Sequence, residues 1–199
     1  MKRNNDMTRE CGGCTLCCKL VPVHHGAQVN GVDMPGSWHK AAGERCRHQR
    51  TGKGCAVYRK PGFPACCALW NCRWLVGDGT ENLRRPDRSH YVLDVMPDYV
   101  TVFDDDPDKG APIEVVQIWI DPKYPDAHED PALRDYLNEL GKKNVAAIIR
   151  YNSDTAFVLF PPSMSSDGEW HEKRNGTPLP TRSAKELFDG IKRAREIAT

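Results

Sequence analysis

Cys11-Gly12-Gly13-Cys14-Thr15-Leu16-Cys17-Cys18 is a C-x2-C-x2-C-C run, four thiols in eight residues. Two residues between cysteines let one tight turn aim both sulfurs at a single metal about 2.3 Å away. Gly12 and Gly13 relieve the steric limits of that turn. Adjacent Cys17 and Cys18 cannot easily point the same way from extended backbone. They are therefore expected to serve two metals, or opposite edges of one cluster. Five more thiols follow, at Cys46, Cys55, Cys66, Cys67 and Cys72, so that all nine cysteines lie between residues 11 and 72. Two sets of four thiolates would complete two tetrahedral sites or more than satisfy one four-cysteine cluster. Soft thiolate ligands suit zinc and iron alike.

The surroundings support reduced thiols. The N-terminus, MKRNNDMTRE, has no apolar stretch of the signal-peptide kind. A cytoplasmic location is expected, where thiols stay reduced. An odd number of cysteines also fits a closed disulfide framework poorly. Formal net charge is +1, with 28 basic and 27 acidic residues. That balance gives no electrostatic case for nucleic acid or a membrane surface. No apolar run approaches the roughly 20 residues a spanning helix needs.

Other residues carry weaker signals. His24, His25, His39 and His48 lie near the cysteines, and histidine is a common zinc ligand; the thiols already suffice without them. His90, His128 and His171 read as surface or loop residues. The acidic run at 104–108 has oxygen ligands for a hard cation but lacks the EF-hand spacing, and reads as a solvated turn. Trp70 and Trp74 flank Cys72 and are expected to pack as core while shielding the centre. Arg45, Arg47, His48, Arg50, Lys53, Arg59 and Lys60 form a basic stretch that reads as solvated surface. Nucleotide-binding and hydrolase motifs such as G-x-x-x-x-G-K-[ST] and G-x-S-x-G are absent.

The cysteine pattern resembles the CxxCxxCC proteins, the YkgJ-like family described as zinc- or iron-chelating domains. The resemblance rests on Cys11, Cys14, Cys17 and Cys18, and then on a second block. That block comprises Cys46, Gly54-Cys55-Ala56-Val57-Tyr58, Pro64-Ala65-Cys66-Cys67 and Cys72-Arg73-Trp74-Leu75. It covers about residues 11–105. Pro64 with two intervening residues aligns Cys67, rather than Cys66, with the family's ligand. Phe63 and Ala68 stand where the family usually has arginine. The resemblance implies a metal-ligand set of Cys11, Cys14, Cys17, Cys18, Cys46, Cys55, Cys67 and Cys72.

The elements that must position these residues divide the chain. Residues 1–10 read as a flexible N-terminus and 11–90 as an irregular cysteine-rich metal-binding lobe. The lobe has few large apolar residues in any regular pattern, so metal is the expected staple. Residues 91–199 read as an α+β part packed against it, with a mainly antiparallel sheet, one central helix and one C-terminal helix. Strands are expected at 91–95, 99–103, 115–120, 145–151 and 156–160. Asp130-Pro131 announces a helix, Leu133, Tyr136, Leu137 and Leu140 give it one apolar face, and Gly141 stops it. Residues 161–181 read as a long surface loop. Ser183 and Glu186 suggest a capping box that opens the last helix.

The leading expectation is a metal-binding protein holding zinc or iron, an iron–sulfur cluster included. Its rivals are a metal-dependent oxidoreductase or group-transfer enzyme, built around Cys66 and the nearby histidines, and a zinc-stabilised module that docks a protein partner.

Overall fold

The computed structural model describes residues 9–26, 28–29, 32–33, 38–77, 79–103 and 110–174. It also gives helical backbone at Glu186, Asp189, Gly190, Lys192, Arg193 and Glu196. The acidic run at 104–108 and most of the expected C-terminal helix lie outside the described residues. Among the described residues, no helix is long and apolar enough to cross a membrane.

The cysteine-rich half is built of short pieces. They are α1 (Leu16–Leu20), β1 (Val23–His25), β2 (Gln28–Val29), β3 (Val32–Asp33), β4 (Trp38–Lys40), β5 (Gln49–Arg50), β6 (Gly54–Cys55), α2 (Ala65–Leu69), α3 (Arg73–Val76) and α4 (Pro86–Ser89). β1 pairs with β4, β2 with β3 and β5 with β6, each antiparallel. Elements this short cannot hold themselves together by backbone bonds alone.

The second half is a mixed, mainly antiparallel sheet. Its strands are β7 (Tyr91–Leu93), β8 (Asp98–Val102), β9 (Ala111–Ile120), β10 (Ala146–Arg150), β11 (Ala156–Phe160) and β12 (His171–Lys173). The order is β12-β11-β10-β9-β7, with β8 also on β9. The β9–β10 pair is parallel, Val115 facing Ala146 and Trp119 facing Arg150. A parallel pair needs a long crossover, and α5 (Pro131–Gly141) supplies it.

β9 explains the layering. Its first half alternates, with Ala111, Ile113 and Val115 buried and Pro112 and Glu114 exposed. From Val116 onward the strand is nearly continuous core, because both faces are covered there. Val116, Ile118 and Ile120 meet Leu133 and Leu137 of α5 on one face. Trp119, with Val92 of β7, meets Leu16, Leu20, Leu75 and Cys72 on the other. The cysteine-rich half thus stands on one end of the sheet. Two buried carboxylates fasten it: Asp121 Oδ1 lies 2.6 Å from Lys19 Nζ, and Asp94 Oδ1 accepts from Trp70 Nε1 at 2.8 Å.

Several local expectations change. β7 and β8 do not pair with each other; they lie end to end on the same edge of β9. Residues 161–174 are not a plain loop, since they carry a 3-10 turn at Pro162–Met164 and the edge strand β12. Asp130 does cap α5, accepting from Ala132 N at 2.9 Å. Gly141, however, is helical rather than a left-handed stop. A Cβ there would lie 2.7 Å from Pro161 Cβ, and the left-handed residue is Asn144 at φ 59°. His128 is buried rather than superficial, its ring edge-on to Phe157.

The α5–sheet contact should dominate the stability of this half. Leu137→Ala is expected to cost about 2–5 kcal/mol, whereas Leu69→Ala, at an 87% exposed position, should change stability by less than about 0.5 kcal/mol. Urea unfolding of both variants checks the pair.

Candidate metal centre

The first thiols are placed by a tight turn. Cys14 N donates to Cys11 O at 3.0 Å, and Gly12 sits at φ 51°, in the left-handed region. α1 then begins and carries Cys17 and Cys18, whose thiols are hydrogen-bonded to each other. The next segment is tied directly to this one: Cys46 N donates to Cys18 O at 2.9 Å, and Gly43 N to Leu20 O at 3.1 Å.

Two glycine turns make the approach of Cys55 possible. A Cβ on Gly13 would lie 2.7 Å from Gly52 O, and a Cβ on Gly54 would collide with Gly12 O. The turn before Cys55 therefore presses backbone to backbone on the turn between Cys11 and Cys14. Pro64 caps α2, which carries Cys66 and Cys67 with their sulfurs 4.0 Å apart. Cys72 sits at the N-cap of α3.

These segments surround one cavity of about 220 Å³. Eight of the nine thiols line it: Cys11, Cys17, Cys18, Cys46, Cys55, Cys66, Cys67 and Cys72. Most other lining groups are apolar, among them Val21, Phe63, Trp70 and Leu75, and His24 and His48 also reach it. Cys14 lies behind, in a smaller cleft of about 10 Å³ shared with Cys11, Cys17 and Cys72. Every sequence-expected ligand is therefore in this region. His39 is exposed and stacks on His24 at 6.5 Å between ring centroids. Trp74 spans the lobe and the sheet core, its Nε1 donating to Leu83 O at 3.0 Å. Residues of the basic stretch, Arg45, Arg47, Arg50, Lys53, Arg59 and Lys60, are exposed.

Electrostatics couples the thiols to one another across the cavity. Burial pushes the Cys11 thiol up to about 12, with Cys14, Cys18, Cys72 and Cys55 adding to it. Burial likewise raises Cys72 to about 11, with Cys14 the adjoining thiol and the amides of Leu75 and Trp74 pulling the other way. Burial and then Cys66, Cys18 and Cys46 raise Cys67 to about 12. Cys55 is raised by burial, then by Cys18 and Cys46. Cys11, Cys14 and Cys72 neighbour one another, as do Cys18, Cys46, Cys55 and Cys67, while Cys17 is bonded to Cys18 and Cys11 also feels Cys18 and Cys55. Cys18 alone is drawn down, to about 7, by a hydrogen bond from Cys17, with Lys40 acting in the same direction.

In residue type and number the thiols fit two four-sulfur sites; their spacing is wider. Sulfurs around one zinc ion at 2.3 Å stand about 3.8 Å apart. Among the described residues, the set of three His, Cys, Asp or Glu donors lying mutually within 4.8 Å is His128, Glu129 and Glu172, not a set of thiols. The His128 set is an ion-pair network. His128 Nε2 lies 3.0 Å from Glu129, its Nδ1 is tied to Pro125 O at 2.9 Å, and Arg174 holds Glu172 at 3.1 Å. The set is not legible in the sequence because Glu172 comes from β12, whose residues read as loop.

No protein-family model matches the chain, and searches of curated proteins and of solved structures find no match. The chemistry of the centre is therefore argued from its own atoms.

The glycine contact gives a matched pair of variants. Gly54 and Gly43 have nearly the same left-handed backbone, φ 85° and 83°, but a Cβ on Gly43 meets nothing within 4 Å. Gly43→Ala should cost about 1 kcal/mol. Gly54→Ala should cost about 1–3 kcal/mol more and expose Cys55 to alkylation, which thermal melts and timed thiol labelling would measure.

Proposed function

We propose that this chain is a thiolate metal-binding protein that holds zinc or iron in two adjoining four-cysteine sets. The observation that carries the reading is the convergence of eight thiols, from segments far apart in sequence, on one largely apolar cavity. Buried and half-buried thiols have little other use for such a gathering, since Cys11 and Cys67 are raised by their neighbouring thiols and none is paired in a disulfide.

Cys11, Cys14, Cys17 and Cys72 would hold the first metal, and Cys18, Cys46, Cys55 and Cys67 the second. This divides the adjacent Cys17 and Cys18 between the sets. Cys67 is preferred to Cys66 because it feels Cys18 and Cys46. Zinc closed by four sulfurs would staple a half that has little core of its own, whereas iron with sulfide would add one-electron chemistry. The cysteine pattern of the YkgJ-like family supports metal chelation without deciding between them.

Metal analysis of anaerobically purified protein, with its visible spectrum, tests the reading. About two zinc per chain without colour, or iron with sulfide and a broad visible band, supports it. Less than one equivalent of any metal after anaerobic reconstitution overturns it. Cys14→Ser and Cys46→Ser should each lower the content of a different set and leave the other loaded.

Loading must also be pH-dependent. The Cys11, Cys67 and Cys72 thiols sit well above neutral pH without metal, whereas a bound sulfur is a thiolate. Binding therefore releases protons, and affinity should fall as pH falls. An indicator dye in weak buffer should report acidification on zinc addition, and the loaded protein should lose metal progressively on acid titration.

A further inference from the structure

Lys40, on β4, is a buried lysine at 3% exposure. Its ammonium donates to Glu44 O at 2.9 Å, Ala41 O at 3.1 Å and Lys19 O at 3.2 Å. All three protons are used, and each partner is a neutral main-chain carbonyl. The hydrogen-bonding need is met, but the positive charge is not balanced by these partners. Burying a charge without an opposing one is strongly unfavourable.

The groups that act most strongly on this charge are Cys46 and Cys18, ahead of the Glu44 carboxylate and Cys17. Glu44 is exposed, and its Oε2 accepts from Ala41 N at 3.1 Å. The carbonyl cradle belongs to the same joint: Lys19 follows Cys18, Glu44 precedes Cys46 by two residues, and Cys46 N bonds Cys18 O. The His48 amide lies 3.4 Å from Cys46 Sγ. The carbonyls thus hold the ammonium at the joint of Cys18 and Cys46, and the amide donates to the Cys46 sulfur; both favour thiolates there.

We infer that Lys40 is the fixed counter-charge of the set formed by Cys18, Cys46, Cys55 and Cys67, and that this set holds its metal as an anionic, all-sulfur centre. The inference rests on the two-set reading above. Four thiolates around a divalent ion leave a dianion, which a buried ammonium offsets. Exchanging a thiolate for His24 or His48 would reduce the negative charge that Lys40 is placed to meet. Lys40 touches no metal; it acts through the sulfurs, as a positioning and charge-balancing residue. The first set, Cys11, Cys14, Cys17 and Cys72, has Arg85 beside Cys14 and Cys11 instead.

The test is competition of cobalt(II)-loaded full-length protein against a chromophoric chelator, following the sulfur-to-cobalt absorption. Lys40→Met keeps the stem and removes the charge; Lys40→Arg keeps the charge. One of the two metal equivalents should weaken by about 10–100-fold in Lys40→Met, the other should weaken much less, and Lys40→Arg should recover most of the loss. Equal weakening of both equivalents in both variants, in step with lower thermal stability, would mean a merely structural lysine and overturns the inference. A wild-type chain that takes up only one equivalent overturns the two-set reading, and this inference with it. Should Lys40→Met fail to fold, the wild type decides. The ammonium ¹⁵N resonance of Lys40 should shift on zinc loading of the metal-free protein, and an unmoved resonance sinks the idea.

Discussion

The architecture depends on the contact of two glycine turns, because it lets chain segments some 40 residues apart share one thiol cavity. Gly13 lies against Gly52 and Gly54 against Gly12, with no room for a side chain between them. The contact is backbone on backbone, so it contributes little apolar burial of its own. Its value is positional: it brings Cys55 beside the C-x2-C-x2-C-C turn. The hydrogen bond from Cys46 to Cys18 then fixes the intervening loop.

That assembly needs a platform, and the sheet provides one. Val92 and Trp119 present an apolar floor to Leu16, Leu20 and Leu75, directly beneath the thiols. The opposite face of the same strands is filled by α5. β9 is consequently the element that both halves share, and its shift from alternating to continuous burial marks where the second layer begins. Asp94 and Asp121 lie at the ends of the β7 and β9 runs and tie Trp70 and Lys19 to that floor. On the proposed reading, these ties transmit the gain from metal binding in one half to the packing of the other.

Much of this was legible in the sequence where a local pattern carried it. The apolar spacing of α5 and the Asp130-Pro131 start are local, and both survive in the structure. The thiol set was legible because cysteine spacing is itself a local signal. What was not legible depends on partners distant in the chain. Runs 91–95 and 99–103 are separated by the turn-prone Met96-Pro97-Asp98, yet both pair with β9, because the long β9 offers an edge for two strands in line. The short β12 carries no apolar alternation and is a strand only because β11 has a free edge. Gly141 looks like a helix stop, but Pro161 and Trp170 press on it from outside its own element. Lys40 gave no signal at all, since a lysine in a polar sequence context reads as surface.

The charge distribution of the cysteine-rich half follows from the same logic. Between residues 44 and 60 the basic residues are Arg45, Arg47, Arg50, Lys53, Arg59 and Lys60, against the single acid Glu44. In a chain of formal net charge +1 this local excess would repel itself if the thiols stayed protonated. On the proposed reading, two tetrathiolate centres would each retain negative charge after their metal is counted, and the basic surface would be the outer shell that offsets it. Lys40 is the inner member of that shell, where screening by water is weakest and a single charge acts most strongly. The surface arginines act through solvent and salt, so their effect on the centre is diffuse. On the proposed reading, the buried lysine would act mainly on the set that holds Cys18 and Cys46, which would make the two sets chemically unequal.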